Sequence, residues 1–252
     1  MQRYFVPETD WDNMNVTIQG DDAHHINRVM RSKEGDSVIC NHPNGKAAIC
    51  EISEIESSKV YLKIQEWLDT SAELPVEVTI SQGLPKGDKF DLIVQKGTEL
   101  GAHSFIPFNA ERSVVVWDDK KMDKKMKRFA KIVKEASEQS HRNRIPRIMP
   151  MMTLSELIEE SSNYDVKIFP YEEEARSDHH KSLGKIVKGL EAGQKLLVCI
   201  GPEGGFSANE AEELTKNGFS PVRLGPRILR TETAALYTLA SISYHFEELG
   251  CN

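Results

Sequence analysis

Apolar and polar positions alternate with a period near two along the first seventy residues, then give way near residue 75 to a different rhythm. The alternation predicts strands over 2–6, 16–18, 37–41, 46–55 and 59–65, interrupted by a helix over 21–30. Asn44-Gly45 is a hairpin dipeptide, because both central positions of the tight turn need φ > 0. Several short strands of this kind suggest a small barrel.

From residue 76 onward, strands alternate with helices. A strand over 76–82 precedes a helix over 88–100, whose Phe90, Ile93, Val94, Gly97 and Leu100 share one face before Gly101 ends it. Residues 105–107 are extended. Met122, Met126, Phe129, Val133 and Ala136 then follow a 3.6-residue period with lysines on the other faces, which predicts an amphipathic helix docked by its apolar stripe. Thr153-Leu-Ser-Glu156 and Ser207-Ala-Asn-Glu210 each have the form of a capping box opening a helix. Strands are expected over 165–169, 195–200 and 222–224, and helices over 179–190, up to Asn217-Gly218, and over 232–249. This order implies an α/β fold with a mostly parallel sheet, and a division at 1–72 and 73–252.

Composition changes the picture only in part. Hydrophobic residues at 39% and aromatics at 7% suffice for an ordinary core. No apolar stretch approaches the roughly 20 residues of a bilayer span, and MQRYFVPETD lacks the apolar stretch of a signal peptide. Cys40, Cys50, Cys199 and Cys251 make no CxxC pair, so a soluble cytoplasmic protein is expected. The formal charge of −7 argues against a generic polyanion binder. Its distribution argues otherwise: residues 120–147 hold eleven Lys/Arg against three acids, a local balance of +8 that leaves −15 on the remainder. A localised polyanion site on an acidic body has this footprint.

The segment LLVCIGPEGGFSANE, 196–209, runs an apolar strand into a loop with three glycines and then into a helix. Ligands of open α/β sheets bind at the carboxyl ends of strands, where glycine lets the backbone approach closely. The loop is neither GxGxxG nor GxxxxGK[ST], which removes the specific support for dinucleotide and P-loop binding. VRLGPRILRTETAALYTLA, 222–240, repeats the strand, glycine loop and helix arrangement, so the two loops can form two walls of one pocket. Leu224, Ile228 and Leu229 would offer apolar surface there. His24-His25 and His179-His180 lack partners at metal-ligand spacing, no GxSxG occurs, and no metal is expected.

GPEGGFS at 201–207 and LGPRILRTETA at 224–234 resemble the signature segments of SPOUT-class S-adenosylmethionine-dependent RNA methyltransferases, specifically the family that methylates uridine N3 in small-subunit 16S ribosomal RNA. RYFV at 3–6, HHINRVMR at 24–31, KGDKFDLIVQKGTELG at 86–101, ERSV at 111–114 and EASEQSHRNRIP at 135–146 extend the likeness over nearly the whole chain. His141 departs from it, standing where the EQSGR-like pattern has a small residue.

The resemblance implies a PUA-like, RNA-binding N-terminal barrel, a C-terminal domain with a deep trefoil knot, and a homodimer. Carried over residue by residue, Gly201, Pro202, Glu203, Gly204, Gly205, Leu224, Gly225, Ile228, Leu229, Arg230, Thr233 and Ala234 would surround S-adenosylmethionine, with Phe169-Pro170 as a third wall. Uridine N3 is unreactive until its imide proton leaves, so methylation needs a base or cations that stabilise the developing anion. Arg230 is the candidate for the second role; Glu232 is a candidate base, although a carboxylate in the first turn of a helix is favoured in its ionised form. N3 lies on the Watson–Crick edge, so the base must be unpaired or extruded. Arg3, His25, Arg28, Arg31, Lys86, Lys89, Arg112, Lys124, Lys127, Arg142 and Arg144 are the candidate RNA contacts. Rival readings are a noncatalytic RNA-binding ribosome-assembly factor and a SPOUT enzyme acting on another RNA or atom.

Overall fold

In the computed structural model, the alternating N-terminal segments become strands β1 (Arg3–Phe5), β2 (Trp11–Asp12), β3 (Asn15–Gln19), β4 (Ser37–Asn41), β5 (Ala47–Ile55) and β6 (Lys59–Leu68). The structure describes residues 1–171 and 182–250. The chain divides into two units, Met1–Glu73 with Ser137–Ile145, and Leu74–Ala136 with Pro146–Asn252.

The first unit is one six-stranded sheet in the order β1-β4-β5-β6-β3-β2. β1 pairs with β4 in parallel and every other ladder is antiparallel. The period of two is visible in β6, where Val60, Leu62 and Ile64 are buried between more exposed neighbours. They pack with Tyr4, Val16, Ile18, Val38, Cys40, Cys50 and Ile52. The sheet keeps two edges, β1 and β2, so main-chain pairing does not close the expected barrel; the Trp11 indole donates to the Val6 carbonyl at 3.2 Å just beyond β1. The hairpin turns at Asn44-Gly45, but only Gly45 takes a positive φ, +89°, because the loop spans 43–45 and closes with the His42 N–H donating to the Lys46 carbonyl at 2.8 Å. The helix expected over 21–30 is regular only as α1 (Gly20–His24) and widens to a π-turn at His25–Met30.

The returning segment Ser137–Ile145 is bound into this unit by buried polar groups. Arg142, 3% exposed, is ion-paired with Glu73. The Glu73 carboxylate also accepts from the main-chain N–H of Asn143 at 2.9 Å and of Arg144 at 3.1 Å. The Arg142 carbonyl in turn accepts from Asn41 at 2.7 Å and Arg3 at 3.2 Å. A buried charge is tolerated when paired and hydrogen-bonded on this scale.

The second unit holds β7 (Glu77–Gly83), α2 (Lys89–Glu99), β8 (Ser104–Asn109), most of α3 (Asp119–Gln139), β9 (Arg147–Ile148), β10 (Met152–Thr153), α4 (Leu154–Glu160), β11 (Val166–Pro170), α5 (Leu183–Lys188), β12 (Lys195–Ile200), α6 (Ala208–Lys216), β13 (Ser220–Val222) and α7 (Thr231–Ser243). Its sheet runs β10-β8-β7-β12-β11-β13, with β9 beside β10 on the β8 edge, and every ladder is parallel. Burial on both faces explains the continuous apolar run of β12. Leu196, Val198 and Ile200 pack with Phe90 and Ile93 of α2, Phe129 and Val133 of α3, and Leu239 and Ile242 of α7. Leu197 and Cys199 face the opposite layer with Leu157 of α4 and Leu214 of α6. Both expected capping boxes are present, Thr153 with Glu156 and Ser207 with Glu210. Of the helix expected over 179–190, residues 179–181 lie outside the described residues, as do His179, His180 and Cys251.

Three helices end in the same motif. The N–H two residues past the cap reaches back five residues: Ala102 to the Gly97 carbonyl at 2.9 Å, Phe219 to Leu214 at 3.0 Å, and Arg142 to Ser137 at 2.9 Å. The residue between is left-handed in each, at φ +88° for Gly101, +84° for Gly218 and +58° for His141. The small residue that the resemblance leads one to expect at 141 is therefore the residue this backbone favours.

Candidate active site

The carboxyl ends of β11, β12 and β13 open onto one cavity of about 780 Å³ within the second unit. Gly201 to Phe206, after β12, form one wall. Leu224, Gly225 and Arg227 to Thr231, after β13, form another, and Pro170 with Tyr171 closes a third side. The two loops foreseen as walls of one pocket therefore meet.

Packing between loops is tight enough to demand glycine. A Cβ at Gly83, the last residue of β7, would stand 2.7 Å from Pro202 Cδ and 2.8 Å from its nitrogen. Beside it the fully buried Gln82 amide donates to the Thr231 hydroxyl at 2.8 Å and to the Gly201 carbonyl at 3.3 Å. The Thr231 hydroxyl also donates to the Gly201 carbonyl at 2.6 Å. Thr231 thus does not cap its own helix; Arg230 occupies the N-cap position without a side-chain capping bond, and the threonine ties α7 to the β12 loop.

The rim is charged. Lys89 lies 2.9 Å from Glu203 and 3.3 Å from Glu232, so one ammonium joins the β12 loop to the first turn of α7. Partial burial opposes ionisation of Glu203, but Lys89 and the Lys86 main-chain N–H, 3.0 Å away, outweigh it and hold the carboxyl below the usual range. The hydrogen bond that Lys89 donates to Glu203 raises the Lys89 pKa, offset in part by burial and supported by Glu232. Arg112 donates to the Gly204 carbonyl at 2.9 Å. Arg227 and Arg230 are exposed on the cavity wall and make no side-chain hydrogen bond or ion pair among the described residues.

Of the residues expected around the cofactor, Pro170, Gly201, Pro202, Glu203, Gly204, Gly205, Leu224, Gly225, Ile228, Leu229, Arg230 and Ala234 line the cavity. Phe169 does not: it is fully buried in the layer with Phe206 and Leu197. Thr233 does not either, since it is exposed outside the lining. Glu232 stands behind the wall with its carboxylate on Lys89, a poor position for a free base.

Two expected RNA contacts, Lys89 and Arg112, prove to belong to the cavity rim. Arg3, 7% exposed, and Arg142 are buried inside the first unit on partners of their own. His25 is hydrogen-bonded to the Tyr4 hydroxyl at 2.9 Å. Arg28, Arg31, Lys86, Lys124, Lys127 and Arg144 have exposed side chains. Gln82, Tyr171, Val222 and Thr231 were not foreseen; the end of the β7 strand was legible as a ligand-side position and could have drawn attention to Gln82.

A sequence model of the RNA methyltransferase domain matches residues 72–243, and one of the RNA methyltransferase PUA domain matches 18–65. The chain is 46% identical to ribosomal RNA small subunit methyltransferase E of Bacillus subtilis, over 99% of this chain and 98% of that one. It is 32% identical to the Aquifex aeolicus protein of the same name, over 96% and 99%. Among solved structures, ribosomal RNA small subunit methyltransferase E of Neisseria gonorrhoeae bound to S-adenosyl methionine superposes with a TM-score of 0.83 at 28% identity, covering 97% of this chain and 98% of that one. A Legionella pneumophila methyltransferase with bound cofactor SAM gives the same score and identity over 96% and 97%. The match over nearly the whole length shows that this chain belongs to the ribosomal RNA small subunit methyltransferase E family.

Proposed function

We propose that the protein is a cytoplasmic S-adenosylmethionine-dependent methyltransferase of small-subunit 16S ribosomal RNA whose target atom is uridine N3. The cavity fits the cofactor: its volume suits a nucleoside-sized ligand, main-chain groups of 201–205 and 224–225 face it, and Leu224 and Leu229 supply an apolar wall. The bound cofactor supplies a methyl group already activated on a sulfonium.

The chain's own residues do the rest. Gln82, Thr231 and Gly83 hold the loops in register, while Lys89 fixes Glu203 at the rim. Arg230 places a cation beside the site at which the uridine anion develops once N3 loses its proton, and stabilises that anion in the transition state. The single observation that carries the assignment is Arg230 on the cavity wall, exposed and making no side-chain hydrogen bond or ion pair among the described residues. Arg230→Ala is expected to lower kcat about 100-fold with little change in RNA affinity; unchanged turnover removes Arg230 from the mechanism. Mass spectrometry of nucleosides from treated small subunits should show 3-methyluridine, and another product would refute the target atom. RNA binding without methyl transfer would favour the assembly-factor reading.

Two further features belong to this reading. Exposed apolar side chains on a cavity loop and on α7, with Ile228 73% and Tyr237 42% exposed, support a homodimer. The return of β12 to the middle of the sheet, between β7 and β11, supports the knotted threading that the resemblance implies.

A further inference from the structure

Away from the cavity, the first unit carries an aromatic stack. The Trp11 and Trp67 rings lie 5.6 Å apart at an interplanar angle of 20°, and the His42 ring meets Trp11 edge-on at 5.0 Å. Trp11 packs against the core of the sheet and donates its indole N–H to Val6. Ile55 packs against the same core, and Trp67 does not. Trp67 lies over Trp11 and remains 42% exposed, an unusual amount of open ring for the largest apolar side chain.

Basic residues lie on the hairpin that leads into the neighbouring strand, where Ala48 pairs with Trp67. His42 closes the 42–46 hairpin by its main-chain bond to Lys46, whose side chain is exposed. Arg144 lies along the same hairpin: a Cβ built on Gly45 would stand 3.0 Å from Arg144 Nε. Asn143 fixes that approach by donating to the Gly45 carbonyl at 3.1 Å. An exposed indole on β6, next to a hairpin that has an exposed lysine on it and an exposed arginine along it, matches the two needs of a single-stranded nucleic acid, a surface for base stacking and positive charge for the adjoining phosphates.

We propose that Trp67, with Lys46 and Arg144, is a stacking site for an unpaired nucleobase of the RNA strand, outside the methyl-transfer cavity. The proposal rests on the RNA methyltransferase reading and adds a contact to it. Base–aromatic stacking of this type predicts a roughly tenfold loss of affinity when the ring is removed. The test measures binding of the full-length Trp67→Ala, Trp67→Phe and Lys46→Glu variants to deproteinised 16S rRNA and to a single-stranded oligoadenylate, beside cofactor affinity, thermal stability, and kcat and KM for methyl transfer. The expected result is that Trp67→Ala weakens both RNAs about tenfold and raises KM for RNA, with kcat and cofactor affinity unchanged. Trp67→Phe should recover most of the binding, and Lys46→Glu should lose affinity with a shallower salt dependence. Wild-type RNA affinity in a folded Trp67→Ala variant overturns the proposal. So does a Trp67→Phe variant as weak as Trp67→Ala whose thermal stability has fallen, which would make the ring a structural cover. Absence of methyl transfer by the wild-type protein would count against the enzyme reading alone, because the binding comparison does not use it.

Discussion

Replacing His141 by glycine should stabilise the protein, although it removes a side chain. His141 takes φ +58° at the end of α3, in the same motif that Gly101 and Gly218 close after α2 and α6. A left-handed conformation costs a residue with a Cβ about 1–2 kcal/mol. Glycine gives back about 0.4–1 kcal/mol through the greater freedom of its unfolded chain. The expected net gain is about 0.5–1 kcal/mol, or roughly 1–4 °C in Tm for a chain of this size. pH sharpens the comparison. Burial, then Arg3 and the N-terminal amine, lower the His141 pKa, so the folded state resists protonating it. The unfolded chain binds that proton more readily, and wild-type stability therefore declines as pH falls through about 6.5. Glycine has nothing to protonate, so its advantage should widen on the acid side. Thermal denaturation from pH 5 to 8 measures both effects, with His141→Ala as the control that keeps the Cβ and loses the imidazole. If His141→Ala matches glycine at neutral pH, or glycine gains nothing, the backbone argument is wrong.

Gly83→Ala forces a Cβ to within 2.8 Å of Pro202, and overpacking of this kind costs about 1–3 kcal/mol; calorimetry should show cofactor affinity falling about tenfold or more. Lys89→Met leaves Glu203 and Glu232 without their shared cation and should weaken cofactor binding. Because the folded-state pKa of Glu203 is lowered, the stability lost in Lys89→Met should be full above about pH 4.3 and shrink as pH falls through the folded value, as denaturation at several pH values can check. Charge reversal at Lys124 and Lys127, both exposed on α3, should weaken rRNA binding and flatten its salt dependence; an unchanged slope makes that helix face an ordinary solvated one.

Local chemistry was the legible part of the chain. Capping boxes at Thr153 and Ser207 need only residues adjacent in sequence and formed as read, and the hairpin at Asn44-Gly45 formed in place, although only Gly45 takes the positive φ expected of both. The glycine loops after β12 and β13 were legible for the same reason. Long-range commitments were not. Arg3 and Arg142 look like phosphate ligands in sequence because nothing local marks their burial against Asn41 and Glu73, 38 and 69 residues away. Lys89 and Arg112 kept their charge but changed task once the fold placed them beside Glu203 and Gly204. Phe169 sits at the right strand end but on the wrong side of the pleat, since in a parallel sheet buried on both faces each is apolar and sequence alternation does not choose between them.

The segment Ser137–Ile145 has a consequence for how the protein is made. Glu73 ends the first stretch of its unit, yet its buried partners are Arg142, Asn143 and Arg144. A fragment stopping at Glu73 would lack the partners that residues 142–144 supply to Glu73, Asn41 and the Arg3 Nη1. At about 5–20 residues per second, the intervening chain takes roughly 4–14 s to emerge from a translating ribosome. Through that interval the N-terminal sheet is an open clasp, and it is closed by residues that arrive only after β7, α2, β8 and α3 have been synthesised.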